Sequence, residues 1–120
     1  MSEMKMGAIE SRFADMIWQR EPVASTELVK LAAQELVWKK STTYTVLKRL
    51  CDKGIFKNEK GSVSSLLSRD DFYSLQSERF VTQTFKGSLP AFLAAFTKRK
   101  SLTPEEVEHL RRIVAEYEEV

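Results

Sequence analysis

A chain of 120 residues, 42% apolar and 30% charged with a net charge of +2, has room for one or two small domains with modest cores and is expected to be soluble. No apolar run approaches the ~20 residues of a membrane span, and Met1 to Gly7 lack the apolar segment of a signal peptide. A single cysteine, Cys51, excludes an internal disulfide and fits a reducing cytoplasm.

The first predicted element is a helix over Ile9–Arg20, with Ile9, Phe13, Met16 and Ile17 on one face and Trp18 closing its end. Pro22 terminates it, because proline disfavours a helical conformation in the residue before it. Ser25 or Thr26 is the expected cap of a second helix running to about Leu36, with Leu28, Leu31, Ala32 and Leu36 apolar. Val37 and Trp38 form a short loop before the third helix.

That third helix organises the chain. Thr43, Val46, Leu47 and Leu50 share a buried stripe, and Ser41, Thr42, Tyr44, Thr45, Lys48 and Arg49 lie opposite. Hydroxyls near a helix N-terminus, with cations one or two turns on, are what a DNA recognition helix needs. The hydroxyls enter the major groove and the cations meet phosphates. On this reading Tyr44 is an exposed aromatic directed with Thr45 toward the groove. Gly54 stops the helix. Ile55 and Phe56 start an extended segment, Asn58 to Gly61 supply a turn, and Val63 to Leu67 return as a second strand.

Helix, glycine and basic-tipped hairpin describe a winged helix. Its charge agrees: Lys39 to Lys60 hold 7 basic and 2 acidic residues, an excess that favours a polyanion. Residues 1–69 carry 12 basic and 8 acidic side chains, whereas 70–120 carry 7 and 9.

The remainder reads as three helices. Ser68 to Asp71 form a capping pattern for one that carries Phe72, Tyr73, Phe80 and Phe85 and runs to about Lys86. Ser88 and Pro90 open the next, with a stripe of Leu89, Phe92, Leu93 and Phe96. Thr103, Pro104 and two glutamates open the last, whose apolar positions are Val107, Leu110, Ile113, Val114 and Tyr117. Three helices of this size cannot bury so many aromatics alone. A symmetric dimer is therefore expected to use Phe80, Phe85, Leu89, Phe92, Leu93, Phe96, Leu110, Ile113, Val114 and Tyr117. Folding back onto the N-terminal domain in a monomer is the alternative. The fold class is thus mainly α with a small β-hairpin wing: a winged helix-turn-helix domain over 1–69 and a three-helix dimerisation domain over 70–120.

No catalytic set is visible, and nothing calls for a cofactor or a metal. His109 is the only histidine and reads as a solvated side chain. Cys51 reads as a partly buried filler, with a redox role near Arg49 and Lys53 as the minor alternative.

The series Trp38, Thr42, Thr45, Leu47, Arg49, Leu50, Lys53, Gly54 resembles the recognition-helix signature of the penicillinase-repressor (BlaI/MecI/CopY) family. Met16-Ile17-Trp18 and Leu102-Thr103-Pro104-Glu105-Glu106 with Leu110 are similar to two further stretches of it. The resemblance implies a homodimeric repressor on a dyad operator, with Thr42 and Thr45 near bases; the composition of the third helix's outer face adds Ser41 and Tyr44 as further expected base contacts. The resemblance also places Arg49 near the DNA backbone, and the phosphate contacts are expected from Lys39, Lys40, Lys48, Arg49, Lys57 and Lys60.

Three departures stand out. Ser11, not tryptophan, follows Glu10. The return strand Ser62 to Leu67 lacks the family's arginine and tyrosine. The bond equivalent to the asparagine–phenylalanine cleavage site of β-lactam-responsive members is Ala95-Phe96, which bears on whether a membrane sensor-protease system is a partner. The cysteine cluster of the copper-responsive branch is absent. A winged helix that binds an acidic protein through its basic face is the rival reading.

Overall fold

The structure, a computed structural model, describes residues 5–117. Six helices and three short strands follow in the order α1 (Ala8–Arg20), β1 (Val23–Ala24), α2 (Ser25–Glu35), α3 (Lys40–Asp52), β2 (Phe56–Glu59), β3 (Ser62–Ser65), α4 (Arg69–Phe85), α5 (Leu89–Arg99) and α6 (Pro104–Glu116). The expected class, mainly helical with a small antiparallel sheet, is the observed one. Two compact units divide within α4, one up to Ser77 and the other from Glu78.

The N-terminal unit is built on the apolar faces read from the sequence. Phe13 and Ile17 of α1, Leu28 of α2, Leu50 of α3, and Ile55, Phe56 and Val63 around the hairpin are fully buried. Side chains of this size each contribute about 1.5–3 kcal/mol when withdrawn from water. Trp18 does more than close α1. Its ring lies 5.1 Å from Phe56, 5.7 Å from Phe72 and 6.1 Å from Tyr73, and its indole N–H donates to the Leu67 carbonyl at 3.0 Å. Phe72 and Tyr73, at the start of α4, therefore belong to this core. Asp15 of α1 pairs with Arg69 at 3.0 Å, and the Arg69 guanidinium stands 4.9 Å from the Tyr73 ring centroid.

The sheet has a third strand that periodicity did not foreshadow. Val23–Ala24 pairs antiparallel with β3, Val23 opposite Val63 and Ala24 opposite Ser62, giving the order β1-β3-β2. Two residues are too few to show alternation. This pairing also corrects the expected cap of α2. Because Ala24 stays extended, it takes the N-cap position, and Ser25 enters the first turn. Ser25 N–H donates to the Gly61 carbonyl at 2.8 Å, and its side chain turns inward. Neither Ser25 nor Thr26 caps the helix.

The wing is tighter than the sequence indicated. β2 continues through Glu59, β3 ends at Ser65 rather than Leu67, and the turn is only Lys60-Gly61. Both have positive φ, 53° and 86°, as a two-residue type I′ turn demands. Asn58 Oδ1 accepts from Gly61 N–H at 3.0 Å. Glycine suits its position and lysine does not, so Lys60→Asn should raise the stability of this unit by about 0.5–1 kcal/mol. Urea unfolding followed by tryptophan fluorescence would show it as a higher midpoint, and an unchanged midpoint would refute it.

The C-terminal unit is capped as expected. Ser88 Oγ accepts from Ala91 N–H at 3.1 Å, and Thr103 with Glu106 forms a reciprocal capping box at 3.1 and 2.9 Å. Phe80, Phe85, Phe92 and Phe96 form a chain of ring contacts with centroids 5.6 to 6.1 Å apart. No residue of α5 or α6 is buried. Ile113, Val114 and Tyr117 are exposed at 54, 73 and 69%.

Candidate nucleic-acid interface

The stripe of Thr43, Val46, Leu47 and Leu50 is buried and fixes the rotation of α3. Ser41, Thr42 and Thr45 are consequently in solvent. The hydroxyls of Ser41 and Thr42 make no bond to any described residue. The Thr45 hydroxyl donates to the Ser41 carbonyl at 2.9 Å, which leaves its lone pairs and methyl group for a ligand.

Tyr44 departs from its expected place. It is half-buried against the core, and its hydroxyl lies 3.3 Å from Ser25 Oγ. Ser25 in turn holds the Gly61 carbonyl through its own N–H, at 2.8 Å. Tyr44 therefore joins α3 to the start of α2 and, through it, to the wing turn. A helical wheel assigns a whole residue to one face, but the long tyrosine side chain reaches back from the boundary to the core.

The cations fall into two groups. Lys48 pairs with Asp52 at 2.9 Å, Arg49 with Glu10 at 3.5 Å, and Lys57 with Glu59 at 3.2 Å. Lys39, Lys40 and Lys60 are exposed and have no ion pair among the described residues. Charge counting along the sequence could not separate them, because Glu10 lies 39 residues from Arg49 and reaches it only through the fold. Exposed pairs of this kind are worth only ~0.2–1 kcal/mol. A phosphate can therefore displace the carboxylates, but Lys39 and Lys40 need displace nothing. They stand at the N-terminal end of α3, whose N-cap residue Lys39 gives no side-chain cap to the first-turn N–H groups. Positive charge and free donors thus coincide at the end of the helix that bears the exposed hydroxyls.

Cys51 lines a depression of about 340 Å³ with Tyr44, Leu47, Lys48 and Asn58. Burial pushes its thiol pKa up; the Asp52 charge adds to this, and the Lys48 charge opposes it. The thiolate is the reactive form. Cys51 should therefore react with iodoacetamide at neutral pH more slowly in the native protein than in urea, and rate measurements in the two would test this. Equal rates would restore the redox alternative.

The sequence matches the family model described as "Penicillinase repressor" over residues 6–116. It is 23% identical over 114 residues to the "Methicillin resistance regulatory protein MecI" of Staphylococcus aureus strain Mu50, covering 92% of this chain and 93% of that protein. It is 26% identical over 106 residues to the "Penicillinase repressor" of Bacillus licheniformis, covering 85 and 83%. A "Penicillinase repressor" of Staphylococcus aureus is 24% identical over 116 residues, with 93 and 92% covered.

Proposed function

Since the chain belongs to the penicillinase repressor family, we propose that it is a transcriptional repressor that binds a palindromic operator as a homodimer, with α3 in the major groove. The observation that carries this reading is the exposed face of α3, where Ser41, Thr42 and Thr45 stand beside the unpaired Lys39 and Lys40. The hydroxyls read base edges, Lys39, Lys40 and the wing's Lys60 hold phosphates, and Lys48, Arg49 and Lys57 join once their carboxylates are displaced. Tyr44 supports the helix from behind.

The C-terminal unit supplies the dimer. Its apolar surface includes two depressions, of about 280 and 380 Å³, that share Leu102 and Leu110. Phe92 and Phe96 line the first, and Val107 and Val114 line the second. Pairing this face with its own copy brings two copies of α3 to two half-sites. A signal acting on this unit releases the operator. Proteolysis at Ala95-Phe96 by a sensor-protease system is one route. It requires local opening of α5, because both residues lie inside that helix.

A mobility-shift titration against the chain's own promoter and a random duplex, at two salt concentrations, tests the reading. A steep fall with salt and a preference of ~10³ or more for the promoter are expected. Lys40→Ala should flatten the salt slope by about one, and Thr45→Ala should relax sequence preference. Weak binding without preference or salt dependence would overturn the operator reading and leave an acidic protein as the partner of the basic face.

A further inference from the structure

Three non-glycine residues of the described chain have positive φ: Val37 at 56°, Lys60 at 53° and Lys86 at 51°. Lys60 sits in the wing turn, and Lys86 precedes Gly87 where α4 ends. Neither is branched at Cβ. Val37 is, and a β-branched residue is the least suited to the left-handed region.

The turn itself explains the backbone but not the side chain. Leu36 ends α2, Val37 reverses the chain, and Trp38 N–H reaches back to the Ala32 carbonyl at 3.2 Å. Trp38 then packs on Phe13, with centroids 5.2 Å apart. Glycine or asparagine meets the demand of such a helix end most easily. The valine adds nothing to the core, being 86% exposed. It is the most exposed large hydrophobic residue described. It also lies two residues before Lys39 and three before the first residue of α3, at the end that carries the free cations.

We propose that Val37 is a specificity-determining residue whose methyl groups pack on the 5-methyl group of a thymine at the edge of the major groove. The inference rests on the operator reading above and deepens it. An apolar group can distinguish thymine in the major groove because only thymine presents a methyl there. The left-handed turn directs the valine out of the fold, and docking of the α3 N-terminus brings that edge of the molecule to the bases. Strain in the free protein is then explained by a contact made only in the complex.

The test uses the full chain and a duplex selected from a randomised pool by the wild type. Each thymine is replaced in turn by deoxyuridine, which removes only the methyl group. At one position per half-site the wild type should lose affinity about fourfold, the worth of one apolar carbon withdrawn from water. Val37→Gly and Val37→Asn should bind the unmodified duplex about fourfold more weakly per half-site and be indifferent to deoxyuridine at that position. Both variants should also melt at a higher temperature, because both suit the left-handed region. The proposal is overturned if either variant binds like the wild type, or if wild type and variants respond equally to every deoxyuridine. Loss in the glycine variant alone would also overturn it, because that would reflect a loosened turn. If the wild type selects no duplex, the operator reading itself fails.

Discussion

Alanine in place of Phe72 should lower the stability of the N-terminal unit by about 3–5 kcal/mol. Phe72 is 2% exposed, although it stands in the first turn of α4 and not in the winged-helix elements proper. It meets Trp18 at 5.7 Å and Tyr73 edge-on at 5.2 Å. Removing the ring leaves a cavity beside an indole whose N–H is already fixed on Leu67, so the site has little freedom to collapse. A domain of this size has about 5–15 kcal/mol to lose in total. The variant should therefore unfold at a much lower urea concentration, and the fluorescence of Trp18 reports the change directly. A loss below about 1 kcal/mol would mean that the start of α4 is not part of this core.

The second large effect concerns assembly. Lysine at Ile113 or glutamate at Val114 puts a charge on a surface that α6 leaves in water in the single chain. The fold of one copy should be unaffected, because no residue of α6 is buried within it. If that face joins two copies, each substitution buries an unpaired charge at the joint. Sedimentation should then report a monomer with unchanged helicity. Operator affinity should fall by about 10²-fold or more, since two linked heads gain that much from binding together. A variant that remains dimeric, or that binds its operator as before, would remove this face from the proposed assembly.

Much of this could be read in advance because the signals are local. The α3 stripe spans about two turns, and the Thr103 capping box lies within four residues, so neither depends on distant chain. What escaped depends on tertiary pairing. β1 is two residues long and exists only because β3 lies beside it. Ser25 has the chemistry of a cap, but that pairing moves it past the cap position and gives it to Tyr44. Phe72 and Tyr73 share a helix with Phe80 and Phe85, so sequence alone groups all four, yet the first two pack on Trp18. In the candidate site the residue types were legible. The partition of the cations was not, because Arg49 meets a glutamate from another helix.

The strand order β1-β3-β2 has a consequence for solubility. Placing β3 in the middle leaves β2 as a free margin of the sheet, with unpaired backbone groups that another extended chain could adopt. Along that margin run Lys57, Asn58 and Glu59. Charged side chains on a bare strand oppose edge-to-edge stacking. Lys57 and Glu59 thus guard this strand against amyloid-like growth. Neutral apolar replacements at Lys57 and Glu59 would trade a modest loss of charge for a sheet prone to self-addition.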